Sequence, residues 1–221
     1  MSTPVFVDTM MRGTSRVRSQ IVTYFENHLT TYLDTLRYQN DDLNEFTLPY
    51  PAQYLADDPF DTGTHTYPIV GAYIQTANGL AQSVTHLASG SQEFQTSYDV
   101  VVFVMVQSPY LGQDADNLPD YGDNPRASAM RLRDDYMAAT TACLLGSPSL
   151  GTAGQDNRLY STLGSIRQDY PEPMKAGQKG GPLWICSGLI HITITATERV
   201  ANPIIGRLQN VELETDMLPF E

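Results

Sequence analysis

The strongest pattern in the chain is a long run, Glu93–Gln107, that alternates like a strand and changes character halfway. Phe94, Thr96, Tyr98, Val100, Val102, Val104 and Val106 share one face by the two-residue period. The opposite face begins polar at Glu93, Gln95, Ser97 and Asp99, then turns apolar at Val101, Phe103 and Met105. The pattern predicts a strand that is half-solvated at its start and buried on both faces at its end. One layer of helices covers one face of a sheet, so the second apolar face needs another cover, and a neighbouring subunit is one candidate. The first helix is the other candidate within the same chain.

Helical spacing appears twice. Val17, Ile21, Phe25, Leu29, Leu33 and Leu36 recur every three or four residues, which predicts a helix from about Ser15 to Gln39, with Thr14 or Ser15 as its cap. Leu132, Tyr136, Ala139 and Cys143 form the stripe of a second helix over about Pro125–Leu145. Asn124 is placed to cap it, Pro125 takes its first turn, and Gly146 marks its end. Thr66–Thr76 reads as a strand entered through Pro68. Asn78-Gly79 is a hairpin signal leading into a weaker strand, Leu80–Ala88, and so to an antiparallel three-stranded meander ending in the long strand. Leu159–Asp169 and Ile185–Arg199 supply two more strands. Segments 40–65 and 170–184, rich in proline, read as long loops. The sum is an α+β fold of two layers. A mainly antiparallel sheet of about five strands is packed by two main helices, in a single domain over 14–202. The segments 1–13 and 203–221 flank it as arms, expected to be mobile in a free subunit and ordered on assembly.

Composition narrows the function. The net charge of −12, from 13 basic against 25 acidic residues, argues against gripping nucleic acid, which needs a basic face. An acidic wall past which DNA slides is compatible with it. No run of apolar residues is long enough for a membrane span, and the N-terminus lacks the pattern of a signal peptide. Cys143 and Cys186 make no metal pattern and read as buried thiols of a reducing compartment. His28, His65, His86 and His191 show no zinc spacing, and His191, on a threonine face, reads as an exposed or hydrogen-bonded strand residue rather than a ligand. Gly177–Gly181 fails as a phosphate cradle, because Pro182 follows where a P-loop needs a hydroxyl residue opening a helix. The aspartates at 114, 116, 120 and 123 miss the calcium-loop spacing at Leu118. The residues imply no cofactor, no metal and no catalytic group, and the chain reads as a protein of assembly rather than an enzyme.

The order of helix, meander, helix and two strands carries specific pieces at specific places. Tyr67-Pro68-Ile69-Val70 opens the first strand, Ser97–Val106 is the long strand, Arg131–Asp135 lies in the second helix, and Ile190–Thr197 closes the sheet. This ordered set resembles the tail terminator, or tail completion, proteins of tailed bacteriophages, over roughly 15–40, 66–145 and 159–199. The resemblance implies a hexameric ring in the virion neck, assembled in the host cytoplasm, that caps the head-proximal end of the tail tube. Its implied partners are further copies of itself, the tail tube protein and the head–tail connector protein. Viral DNA passes through the lumen without sequence-specific binding, and no membrane is involved. Other neck, head-completion or tail-tube subunits stay open as alternatives, as does a small acidic enzyme or ligand-binding domain.

Candidate interface residues follow from both lines. Arg12, Arg16 and Arg18 sit at the start of the first helix, against its dipole, and read either as solvated surface arginines or as facing an acidic neighbour or a DNA phosphate that would offset them. Val101, Phe103 and Met105 form the second apolar face of the long strand. Leu218 and Phe220 are isolated apolar residues of the C-terminal arm.

Overall fold

The computed structural model describes residues 13–39, 48–57, 65–78, 85–86, 92–108, 124–147, 149–150, 159–178 and 181–200. The elements run α1 (Gly13–Gln39), β1 (Gln53–Leu55), β2 (Ile69–Asn78), β3 (Thr85–His86), β4 (Gln92–Ser108), α2 (Pro125–Gly146), β5 (Leu159–Asp169), β6 (Met174–Gln178) and β7 (Gly181–Val200). The fold is α+β. Seven strands form one sheet in the order β1-β2-β4-β7-β5, with β3 joined to β4 and β6 to β7. All pairings are antiparallel except β1 with β2.

The helices form where their apolar stripes demand. In α1, Val17, Ile21, Phe25, Leu29 and Leu33 are fully buried, and Leu36 packs at the edge of the same core. In α2, Leu132, Tyr136, Ala139 and Cys143 are buried as the spacing predicts. The Asn124 side chain accepts from the N–H groups of Arg126 and Ala127, at 3.1 and 3.3 Å, and Pro125 occupies the first turn. Gly146 does not end the helix as a left-handed cap, because the C-cap is Ser147 in extended backbone. Its place is explained by packing: a Cβ there would collide with the Tyr32 hydroxyl of α1.

Both helices join one core with Tyr98, Val100, Val102, Val104 and Val106 of β4. The first helix therefore does not cover the second face of the long strand; it shares a layer with α2. The meander is also corrected. β2 pairs directly with β4, from Asn78↔Ser97 to Ile69↔Met105, and β3 pairs with β4 beyond the end of β2. The remainder of the expected strand Leu80–Ala88 lies outside the described residues. Two strands appear where loops were expected. β1 lies within 40–65, held by the Pro68 carbonyl oxygen, which accepts from the N–H groups of Ala52 and Gln53 at 2.8 and 3.3 Å. β6 lies within 170–184 and forms a hairpin with β7, Gln178↔Gly181 closing it across two residues.

The core has a consequence in alkali. Burial pushes the Cys143 thiol up to about 12 from its ordinary 9.0, and the Tyr54 phenol up to about 12 from 10.0; Tyr24 is raised by the same cause. Below pH 9 the folded and unfolded chains both keep these protons. Above it the unfolded chain ionises first, so stability falls as pH climbs from 9 towards 12, by up to ~1.4 kcal/mol per pH unit for each group. Urea midpoints should therefore decline above pH ~9, while Cys143 and Cys186 react with a thiol reagent only after unfolding. Midpoints that hold steady to pH 11 would contradict this.

Candidate interaction face

The helices leave the other face of the sheet without a helical layer among the described residues, and this face divides in two. At one end Ile69, Phe103 and Met105 make a second small core, flanked by Leu55, Tyr67, Tyr73, Ile185 and Leu189. Phe103 lies over Gly71, where an added Cβ would meet its ring and would stand 2.5 Å from the Leu55 carbonyl oxygen. The rings of Tyr73 and Phe103 are 6.2 Å apart at a tilt of 38°.

The other end is polar and centres on Asp99. The Thr76 hydroxyl donates to Asp99 Oδ2 at 2.5 Å, and the Thr193 hydroxyl lies 3.4 Å from Oδ1. β5 bulges between Thr162 and Arg167, and the bulge puts a side chain where a ladder carbonyl would be. Ser165 Oγ accepts from the Thr193 N–H at 2.8 Å and donates to the Thr162 carbonyl at 2.6 Å. Beyond the bulge, Asp169 Oδ2 stands 3.0 Å from both Arg167 Nη2 and His191 Nε2. The histidine contact is an ion-pair distance without hydrogen-bond alignment. A cleft of about 230 Å³ opens between Gln75, Asp99, Ser165, Arg167, His191 and Thr193.

The polar groups of this half are largely paired with one another and with backbone. The Ser165 hydroxyl spends its donor and an acceptor on backbone, and His191 turns to Asp169 instead of to a nucleophile. Among the described residues no group of three or more His, Cys, Asp or Glu could hold a metal ion. No described helix is long and apolar enough to cross a membrane.

The sequence-derived interface residues fare differently. Val101, Phe103 and Met105 are exposed by only 1%, 0% and 4% in the single chain. Their face is covered within the subunit, so they hold the face together instead of presenting it, and any partner meets its half-buried rim, such as Tyr73 and Leu189. Arg16 is exposed on α1. Arg18 is tied internally, its Nη1 2.7 Å from Asp57 Oδ1. Arg12, Leu218 and Phe220 lie outside the described residues, as do the acidic loop at 114–123 and both expected arms up to Arg12 and from residue 203. His191 lies in β7 as the sequence predicts, but it is partly buried and stands 3.0 Å from Asp169 without a hydrogen bond to it.

Sequence reasoning missed Ser165, Arg167 and Asp169 as a group. The bulge shifts the period-2 phase within β5, and Gly164 beside Ser165 was the available sign of it. It also missed two buried polar groups behind the helical layer's side of the sheet. The Tyr98 hydroxyl donates to Glu198 Oε1 at 2.6 Å, with both residues buried. Arg133, 4% exposed, pairs with Asp134, donates to the Pro171 carbonyl at 3.3 Å and stands 4.9 Å from the Tyr170 ring centre. No family model matches this chain, and no curated protein matches its sequence.

Proposed function

We propose that this chain is a structural subunit of a phage tail, a tail terminator that forms a ring of six copies, the number the resemblance implies, at the head-proximal end of the tube. The observation that carries the reading is the sheet face that bears no helix among the described residues. It has an internally sealed apolar half, a polar half built of paired side chains, and strands of 17 and 20 residues running the length of both. A sheet this long, with its described helices on one side, offers a broad rigid wall to neighbouring copies. The net charge of −12 fits a lumen past which DNA slides, since few phosphate contacts would form. A stable contact between neighbours would bury at least ~1,000 Å².

Labelling of the protein in purified virions tests its position. The reading expects one collar of label where tail meets head. Label along the whole tube would favour a tube subunit, and no virion signal would overturn the proposal. A ligand-binding domain is the second reading, and the cleft beside Asp99 and His191 is what favours it. It would be supported by a monomeric protein stabilised by a small polar ligand.

A further inference from the structure

The sheet has an outer edge on the β5 and β6 side, and the exposed apolar groups gather there. Four of the six large hydrophobic residues exposed among the described residues are Tyr160, Leu163, Tyr170 and Met174. β5 and β6 both pair with the same side of β7, and β6 has no other strand partner among the described residues. An open edge flanked by exposed apolar side chains is a template for strand addition. Near its start the edge is closed, because Ser149 bridges Tyr160 and Leu150 N donates to the Leu159 carbonyl at 3.1 Å. The bulge then interrupts it as far as Arg167. The usable stretch is β6, Met174–Gln178, where Met174 is 47% exposed and Lys175 is exposed. The nearby acids are already engaged, Asp169 by Arg167 and Glu172 by Arg126 at 2.9 Å.

The same chain carries a segment of matching chemistry. Val211, Leu213, Thr215 and Met217 alternate with Glu212, Glu214 and Asp216. That is a two-faced strand pattern, apolar on one side and anionic on the other. Residues 211–221 hold four acidic and no basic residues, the complement of an edge bearing Lys175. Reach decides which copy supplies it. The chain leaves β7 at Val200, and residue 211 is at most ~40 Å away when fully extended. Met174 pairs with Ile185, fifteen residues back along β7, which is ~50 Å at the rise of a strand. Val211–Leu213 therefore stop short of β6 in their own subunit, and although Thr215–Met217 could come level with Met174, the whole segment lies along β6 only when a second copy supplies it.

We infer that Val211–Met217 of one copy adds as a strand to the outer edge of β6 in a second copy, with its acidic side chains near Lys175. This rests on the ring-forming reading and names the contact that joins its subunits. The test mixes two full-length single variants, Met174→Cys in one and Leu213→Cys in the other, so that only a link between copies can join them. A disulfide between the two chains is expected under mild oxidation, and none when Leu145→Cys, at the exposed end of α2, replaces Met174→Cys. Lys175→Glu should raise the concentration needed for assembly at least tenfold. Glu212→Lys with Glu214→Lys in the same chain should restore it. Unchanged circular dichroism shows that the variants fold. A wild-type oligomer with neither cross-link nor rescue overturns this contact and leaves the ring reading standing. A wild-type chain that stays monomeric overturns both.

Discussion

Ala139→Asp should abolish soluble protein, while Ala138→Asp one position earlier should be tolerated. Ala139 is fully buried on the face of α2 that packs into the helical core; Ala138 is exposed. A carboxylate at 139 would lose its water among the apolar side chains of the helical core. Leaving a charge buried and unpaired costs ~3–5 kcal/mol. Domains of this kind are stable by only ~5–15 kcal/mol, so the loss takes a large share of the total. Ala138→Asp changes helix propensity alone, by under ~1 kcal/mol. Soluble yield and urea midpoints for the two variants check the orientation of α2. Equal stability would show that the wrong face had been assigned to the core.

Gly71→Val should open the apolar half of the helix-free face without melting the helical core. A side chain at 71 meets the Phe103 ring on one side and the Leu55 carbonyl oxygen on the other. Phe103 is fully buried in the second core, whereas β1 is three residues long and, among the described residues, pairs with β2 alone. β1 is the element that gives way. Overpacking of this kind costs ~1–3 kcal/mol, and contact with backbone puts it at the upper end. Hydrogen exchange should accelerate at Gln53–Leu55 and along β2, with α1 and α2 still protected. Unchanged exchange at β1 would mean that Gly71 is not a packing requirement.

How far the sequence could be read follows from these elements. The α1 stripe and the β4 alternation were legible because each runs long enough for its period to outweigh local noise. β1 and β6 were not, because three and five residues set no period and owe their pairing to neighbours distant in sequence. Asn78-Gly79 pointed to a hairpin, yet the partner β4 takes is β2, whose apolar residues from Ile69 to Ile74 match its own across the sheet. The double-sided burial of β4 was legible, but its cover was not. Phe103 and Met105 are sealed by Ile69 and by the space Gly71 leaves, a relation that only the register reveals. The Asp169–His191–Arg167 group stayed hidden behind a bulge, which no count of alternate residues can place.

Ring closure underlies both the proposed function and the contact between subunits. Native mass spectrometry of the full-length protein at rising concentration tests it most directly. One discrete closed oligomer, of six chains, is the predicted result, with few or no intermediates between it and the monomer. A chain that stays monomeric at every concentration, or an open ladder of sizes without closure, would contradict it.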